Sequence, residues 1–356
     1  MNNWGYFMPI SKQQKEFYKL FSQHGTGDAM VQISPKDVAL LVHISMMDLY
    51  EVIYDWMIPK YIEVSQKNFF EITARDVDSL TEMSEENVLD ILHHCGASNP
   101  ANIIFLYLKN LCELYRRRFK FINILKRQPF PLVEQIGPKC LIEYGNCDNA
   151  LLFAWMSWRK WIYDIDNRSA QETGYLFEPI LASCLGGVSV SPRHSPIKRI
   201  NDAGVQTDDG RQIDCLIEES LEAYELKLRV TIAASGQGRF NEEMSFAVEA
   251  ERAGLKPVLI VFDPTPSTLL DKLIKQYIEH GGRVAIGNNA WHELISRAGK
   301  EMGVFIQKYI EPPIENMGKQ IDTIPASLSL SAQKDVVIIS DSKGNEYRID
   351  RCLADE

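Results

Sequence analysis

The sequence predicts an α/β protein in which a helical N-terminal region precedes a mixed central sheet flanked by helices. Three observations carry that expectation. Capping signals and apolar residues at helical spacing dominate the first half. From about residue 165, short apolar strands alternate with helices. The chain has 356 residues, 45% of them apolar and 24% charged, enough to bury a core in one large domain or two.

In the first half, Ser34-Pro35-Lys36-Asp37 places an N-cap before a proline at the first helical position. Val38, Leu41, Ile44, Met47, Leu49 and Ile53 follow at roughly helical spacing, so the helix is expected to run to near Pro59. Thr73 opens a short helix, Ser84 opens one that stops at Gly96, and Asn99-Pro100 opens a long one through Arg116-Arg117-Arg118. The short pair around Met83-Ser84 is compatible with a helix-turn-helix, although helices joined by short turns occur in every bundle. Trp155, Trp158 and Trp161 recur every three residues and, with Tyr163, read as a helix face packed at the domain junction.

In the second half a helix from about Ser169 to Leu185 ends at Gly186-Gly187, and extended chain follows from Val188 to Ile200. Strands are expected at Gln212–Ile217 and Ala223–Val230, then a helix at Arg239–Ala253. Pro257–Phe262 is continuously apolar, as in a strand buried on both faces. A helix (Ser267–Glu279), a strand (Arg283–Ile286) and a last helix from Asn289 towards Tyr309 complete the order α-β-β-β-α-β-α-β-α. Beyond Pro312 the composition suggests a linker, then a hairpin of Val336–Ile339 and Tyr347–Ile349. The expected domains are residues 1–165, 166–312 and the C-terminal 313–356.

The net charge of −10 argues against a nucleic-acid partner on its face. Its distribution weakens that objection, because residues 101–127 carry seven basic groups and only Glu113, whereas residues 51–100 carry three basic and ten acidic groups. Binding follows local charge. The seven cysteines are odd in number, scattered and without a C-x-x-C pair, which fits a reducing compartment. His93-His94-Cys95 resembles a metal cluster, yet adjacent helical residues diverge and no second ligand pair follows; a helix end explains it as well. With neither a signal peptide nor a long apolar run, the chain is expected to be cytoplasmic and to have no membrane partner.

The chemistry concentrates in one pair of strands. Glu225, Lys227 and Arg229 alternate with Tyr224, Leu226, Leu228 and Val230, so period-two geometry puts the charged groups on one face. A hairpin pairing Leu216 with Ala223 would bring Asp214 beside Glu225. Two close carboxylates repel, and a divalent cation stabilises the ionised pair; hard oxygen ligands suit Mg²⁺. Lys227 would then sit beside the activated water, a constellation suited to phosphodiester hydrolysis. A solvated amphipathic strand gives the same pattern, and Asp341-Ser342-Lys343 matches by chance in a Gly344-Asn345 turn. The preceding helix supplies Glu178, with Glu172 two turns earlier, and Ser235-Gly236-Gln237-Gly238-Arg239 is a polar loop suited to a phosphate backbone.

Asp214, ten intervening residues and Glu225-Leu226-Lys227, set in this element order, resemble the PD-(D/E)xK nuclease superfamily over about residues 166–310, with Ile213 where the name has proline. The run from Glu225 through Ala233-Ala234-Ser235-Gly236-Gln237-Gly238-Arg239-Phe240 to Pro257-Val258-Leu259-Ile260 looks like type II restriction endonucleases of the ApaLI type. The resemblance implies a PD-(D/E)xK nuclease core and a Mg²⁺-dependent deoxyribonuclease cutting double-stranded DNA at a short palindrome of the GTGCAC kind, as a homodimer. It also implies that Asp214, Glu225 and the Leu226 carbonyl ligand the metal. Lys227 would orient or deprotonate water, and Glu178 (or Glu172) would be an auxiliary acid. Twofold DNA matched by a twofold protein agrees. Candidate DNA contacts are Gln237, Arg239, Arg193, Lys198, Arg199, Arg116, Arg117 and Arg118. A nucleotide-binding domain is disfavoured by Asn241, where a full glycine motif needs glycine. A structure-selective repair or recombination nuclease and a non-catalytic DNA-binding protein on the same fold stay open.

Overall fold

A computed structural model describes residues 10–24, 30–146, 149–201, 203–228, 237–320 and 328–352; the side chains of 170–173, 175–176, 237–239 and 317–320 lie outside that description. Two compact units result, Met1–Thr173 with Pro313–Glu356, and Gly174–Pro312. No helix among the described residues is long and apolar enough to cross a membrane.

The first unit opens with α1 (Lys12–Ser22) and two short paired strands, β1 (Gln23–His24) and β2 (Val31–Gln32). Its central helix is α2 (Pro35–Tyr50), capped by Ser34 and Asp37 as the sequence predicts, and buried on every side from Asp37 to Met46. The helix stops at Tyr50, because Glu51 takes a left-handed conformation at φ 54°, so the expected continuation towards Pro59 does not form. Around it follow α3 (Pro59–Ser65), α4 (Ala74–Asp78), α5 (Glu85–His94) and α6 (Ile103–Arg127), then α7 (Val133–Tyr144) and α8 (Ala150–Cys184). Thr73 and Ser84 cap α4 and α5; Asn102, not Asn99, caps α6. Within α2, His43 is wholly buried; its Nδ1–H donates to the Ala39 carbonyl at 2.7 Å, and its Nε2 accepts the Ile58 N–H at 3.0 Å.

The second unit contains β3 (Val188–Val190), β4 (Lys198–Ile200), β5 (Gln206–Gly210), β6 (Ile213–Ile217), β7 (Glu222–Lys227), α9 (Gln237–Arg252), β8 (Lys256–Val261), α10 (Thr268–Glu279), β9 (Arg283–Ile286), α11 (Asn288–Arg297) and α12 (Lys300–Tyr309). A five-stranded mixed sheet runs in the order β3-β6-β7-β8-β9, with β3-β6-β7 antiparallel and β7-β8-β9 parallel. The helical crossovers α9 and α10 supply the connections that parallel strands require. Phe246, Ala247 and Ala250 of α9 with Leu270, Leu273 and Tyr277 of α10 pack on Ala223, Leu259 and Val261, forming the core on one face of the sheet. Gly282 brings the chain back to β9 past the Pro257 carbonyl, where any β-carbon would collide. The expected helix from Asn289 to Tyr309 is two helices, since Ala298 leaves the helical region and Gly299 starts α12.

The C-terminal segment differs from the expected linker. Pro312 and Pro313 fall in the first turn of α13 (Glu311–Gln320), where a missing N–H costs nothing. Three antiparallel strands follow, β10 (Leu328–Ala332), β11 (Val336–Asp341) and β12 (Glu346–Asp350). Val337 and Ile349 pack with Ile124, Leu125, Trp158, Trp161 and Ile165 in the first unit. Of the tryptophan repeat, Trp158 and Trp161 pack into this core within that unit, and Trp155 does not. Trp155 and Tyr163 are exposed. The change in composition near residue 165 falls inside α8, which continues through it.

Candidate active site

β6 and β7 pair with Leu216 opposite Ala223 and Cys215 opposite Tyr224. One step further in this register sets Asp214 beside Glu225. Side chains alternate across a strand, so Asp214, Glu225 and Lys227 share the face of Leu216 and Ala223, on the α9 and α10 side. Glu222, Tyr224 and Leu226 point to the other face.

Asp214 is buried, and its Oδ2 accepts the Leu226 N–H at 2.9 Å. That bond fixes the carboxylate against the neighbouring strand. Burial, then the charge of Glu225 and more weakly that of Glu178, push the Asp214 carboxyl well above the usual carboxylate range, against the pull of Lys227. Lys227 donates through Nζ to Glu225 Oε1 at 2.6 Å and pairs with Glu243 Oε1 at 2.9 Å. Burial alone would lower its pKa; the carboxylates of Glu225, Glu243 and Asp214 outweigh that and raise it. Glu178 lies half-buried on α8 and acts on Asp214 through its charge. The side chain of Glu172 lies outside the described residues.

Glu243 was not legible as a site residue. It stands on α9 behind Glu242, and only the rotation of the crossover helix decides which of the two meets Lys227. A buried pair secures that helix: Arg211 Nη1 bridges Glu249 Oε2 at 3.1 Å, and Glu249 Oε1 accepts the Ile200 N–H at 2.9 Å. Arg211 also donates to the Glu242 carbonyl and lies over the Phe246 ring.

Among the described residues, no three His, Cys, Asp or Glu side chains gather as a metal cage. Asp214 and Glu225 do offer adjacent hard oxygen donors, and the burial and mutual repulsion that raise Asp214 are what a divalent cation would relieve, so the residues fit Mg²⁺. The Leu226 backbone is held at the same place by its bond to Asp214.

The candidate DNA contacts separate into two groups. Arg193 is exposed after β3, and Lys198 and Arg199 lie on β4, where Arg199 pairs with Glu242 at 3.3 Å. The side chains of Gln237 and Arg239 lie outside the described residues, although both open α9. The arginine triplet of α6 does not form a basic stripe on the surface. Arg116 is buried, donating to the Phe21 carbonyl and pairing with Glu113 at 2.6 Å. Arg118 donates to the carbonyls of Phe69 and Ile72 and lies over the Phe69 and Tyr115 rings. Arg117 is half-buried, and burial lowers its pKa. Three consecutive residues spread around most of a helix turn, so an unbroken run of cations cannot form one surface stripe. The chance match Asp341-Ser342-Lys343 lies in the β11-β12 turn, where Asp341 accepts the N–H groups of Lys343 and Asn345.

The family model described as ApaLI-like restriction endonuclease matches residues 69–311. The type II restriction enzyme ApaLI of Acetobacter pasteurianus is 42% identical over 289 residues, covering 78% of this chain and 75% of the relative. No solved structure matches.

Proposed function

The chain belongs to the ApaLI-like restriction endonuclease family and is a type II restriction enzyme, a site-specific deoxyribonuclease, and from that premise we propose that Asp214, Glu225 and Lys227 form its Mg²⁺-dependent catalytic centre. The observation that carries the proposal is the arrangement of these three groups on one face of a paired strand, with Asp214 locked to the Leu226 N–H and Lys227 held on Glu225. Asp214, Glu225 and the Leu226 carbonyl would hold the metal, with Glu178 as auxiliary acid. When bound, Mg²⁺ lowers the pKa of water and neutralises charge developing on the phosphate.

Lys227 directs the attacking water through its ammonium protons and offsets the charge on the phosphorane oxygens. The water oxygen forms the new P–O bond as one ester P–O bond breaks. One water proton stays on the new phosphate, and the other reaches the departing alcohol oxygen through solvent. Arg193, Lys198, Arg199, Gln237 and Arg239 are proposed to track the DNA backbone. A homodimer would place one such centre on each strand of a short GTGCAC-like palindrome, with the helical region (residues 1–165) reading bases or joining protomers. The nuclease core would be residues 166–312, of the PD-(D/E)xK kind.

Purified protein incubated with unmethylated phage DNA tests this, with Mg²⁺ or EDTA and with Lys227→Ala in parallel. Discrete fragments that need Mg²⁺ and vanish in the variant are expected, and their ends give the site. Fragments that persist with Lys227→Ala would remove this centre from the reaction.

A further inference from the structure

Three buried glutamates of the second unit each face a cation, and they are not equivalently satisfied. Glu222 uses both oxygens: Oε1 takes Arg283, and Oε2 takes Arg297, Ser220 and Tyr224. Glu249 uses both as well, one on Arg211 and one on the Ile200 N–H. Glu243 uses one. Its Oε1 holds Lys227 at 2.9 Å, while Oε2 is buried with no hydrogen-bond partner among the described residues. A buried carboxylate oxygen without a donor is costly. Glu222 and Glu249 therefore have the completeness of structural ion pairs, and Glu243 does not.

A second observation bears on the same residue. Lys227 shares its ammonium between Glu225 and Glu243. If Glu225 turns to a cation, Glu243 is the carboxylate left to hold Lys227 in place and in charge balance. From these contacts, and resting on the catalytic reading above, we propose that Glu243 is a further catalytic residue: Oε1 anchors Lys227, and Oε2 accepts a hydrogen bond from the water that Lys227 directs at phosphorus. The bond changes are those already given; Glu243 orients the water as its oxygen approaches phosphorus.

The test uses the full chain and a short duplex carrying the cut site mapped with the parent enzyme. Glu243→Gln keeps size and an anchoring oxygen but removes the charge. It is expected to lower the single-turnover cleavage rate about 100-fold. Duplex binding in EDTA should stay within about threefold and the melting temperature within about 2 °C. Glu222→Gln, on the opposite face of β7, should do the opposite, lowering the melting temperature while each folded molecule cleaves at the parent rate. Combining Glu243→Gln with Lys227→Ala should be no worse than Lys227→Ala alone, since residues that act as a unit are not additive. A rate within threefold of the parent overturns the proposal. So does additivity with Lys227→Ala, or loss of folding in Glu243→Gln, either of which marks a structural bridge. Undiminished cleavage by Lys227→Ala would instead overturn the catalytic reading of the strand face, and Glu243 with it.

Discussion

The two faces of β7 carry the same kinds of residue in different charge balance. On one face Glu222 sits among Arg283, Arg297, Tyr224 and Ser220, every oxygen bonded. On the other, Asp214, Glu225 and Glu243 outnumber Lys227, and one carboxylate oxygen is left over. Burial alone would raise the Glu222 carboxyl; the Ser220 hydroxyl and the two guanidinium groups hold it below the usual range. Asp214 moves the other way. Charge saturation, more than residue type, separates the two faces.

The sharpest break of that comparison is Asp214→Asn. The amide oxygen still accepts the Leu226 N–H, but one of the crowded charges is gone. Cleavage should fall by at least about 1,000-fold, while stability rises by about 1 kcal/mol, the exchange common at functional sites. Urea melts at pH 7 beside a cleavage assay decide it; an active variant, or a clearly less stable one, would mean that this face is structural as well.

Glu222→Gln is the mirror image. It leaves Arg283 and Arg297 undercompensated and should cost about 2 kcal/mol, the low side for a buried pair because both guanidinium groups are a third exposed. The cleavage rate per folded molecule should not change. The faces should also respond oppositely to acid. The lowered Glu222 pKa gives stability that is present above its unfolded value and lost as pH falls through the folded one. Raised Asp214 is stabilising when protonated, and that contribution is lost as pH rises through its folded pKa.

His43 gives a reference away from both faces. Burial lowers its pKa from 6.5 to about 4, outweighing the Ala39 hydrogen bond. The folded chain thus binds this proton less readily than the unfolded one. Stability is complete above 6.5 and should fall by on the order of 3 kcal/mol as pH drops to about 4. Proton NMR of the ring, with melts across that range, checks it; titration near 6.5 would refute it.

The smallest effect concerns the arginines. Arg199 is half-buried at the surface and paired with the exposed Glu242 carboxylate, and Arg118 is tied to carbonyls and rings. Removing Arg199 should reduce the salt slope of DNA binding by about one unit if it touches phosphate, and removing Arg118 should leave the slope alone.

Much of this was legible in order of locality. Caps at Ser34, Thr73 and Ser84 act within one turn, and the Leu216–Ala223 pairing follows from strand periodicity across a short turn. The polar strands Gln206–Gly210 and Leu328–Ala332 were missed, because their burial patterns lack a clean apolar alternation. The Glu243–Lys227 contact was out of reach for a different reason. It joins strand to crossover helix, and tertiary packing alone sets that helix's rotation. Composition counts the cations of the Arg116 to Arg118 run without saying where they point.

The Leu226 N–H bond to Asp214 has a spectroscopic consequence. An amide proton held on a carboxylate resonates downfield and moves when the carboxylate changes charge or acquires a ligand. The Leu226 side chain is buried in the core and the Asp214 carboxylate is held on its amide, so that one amide signal would report, from inside the strand, any change in the charge or ligation of Asp214.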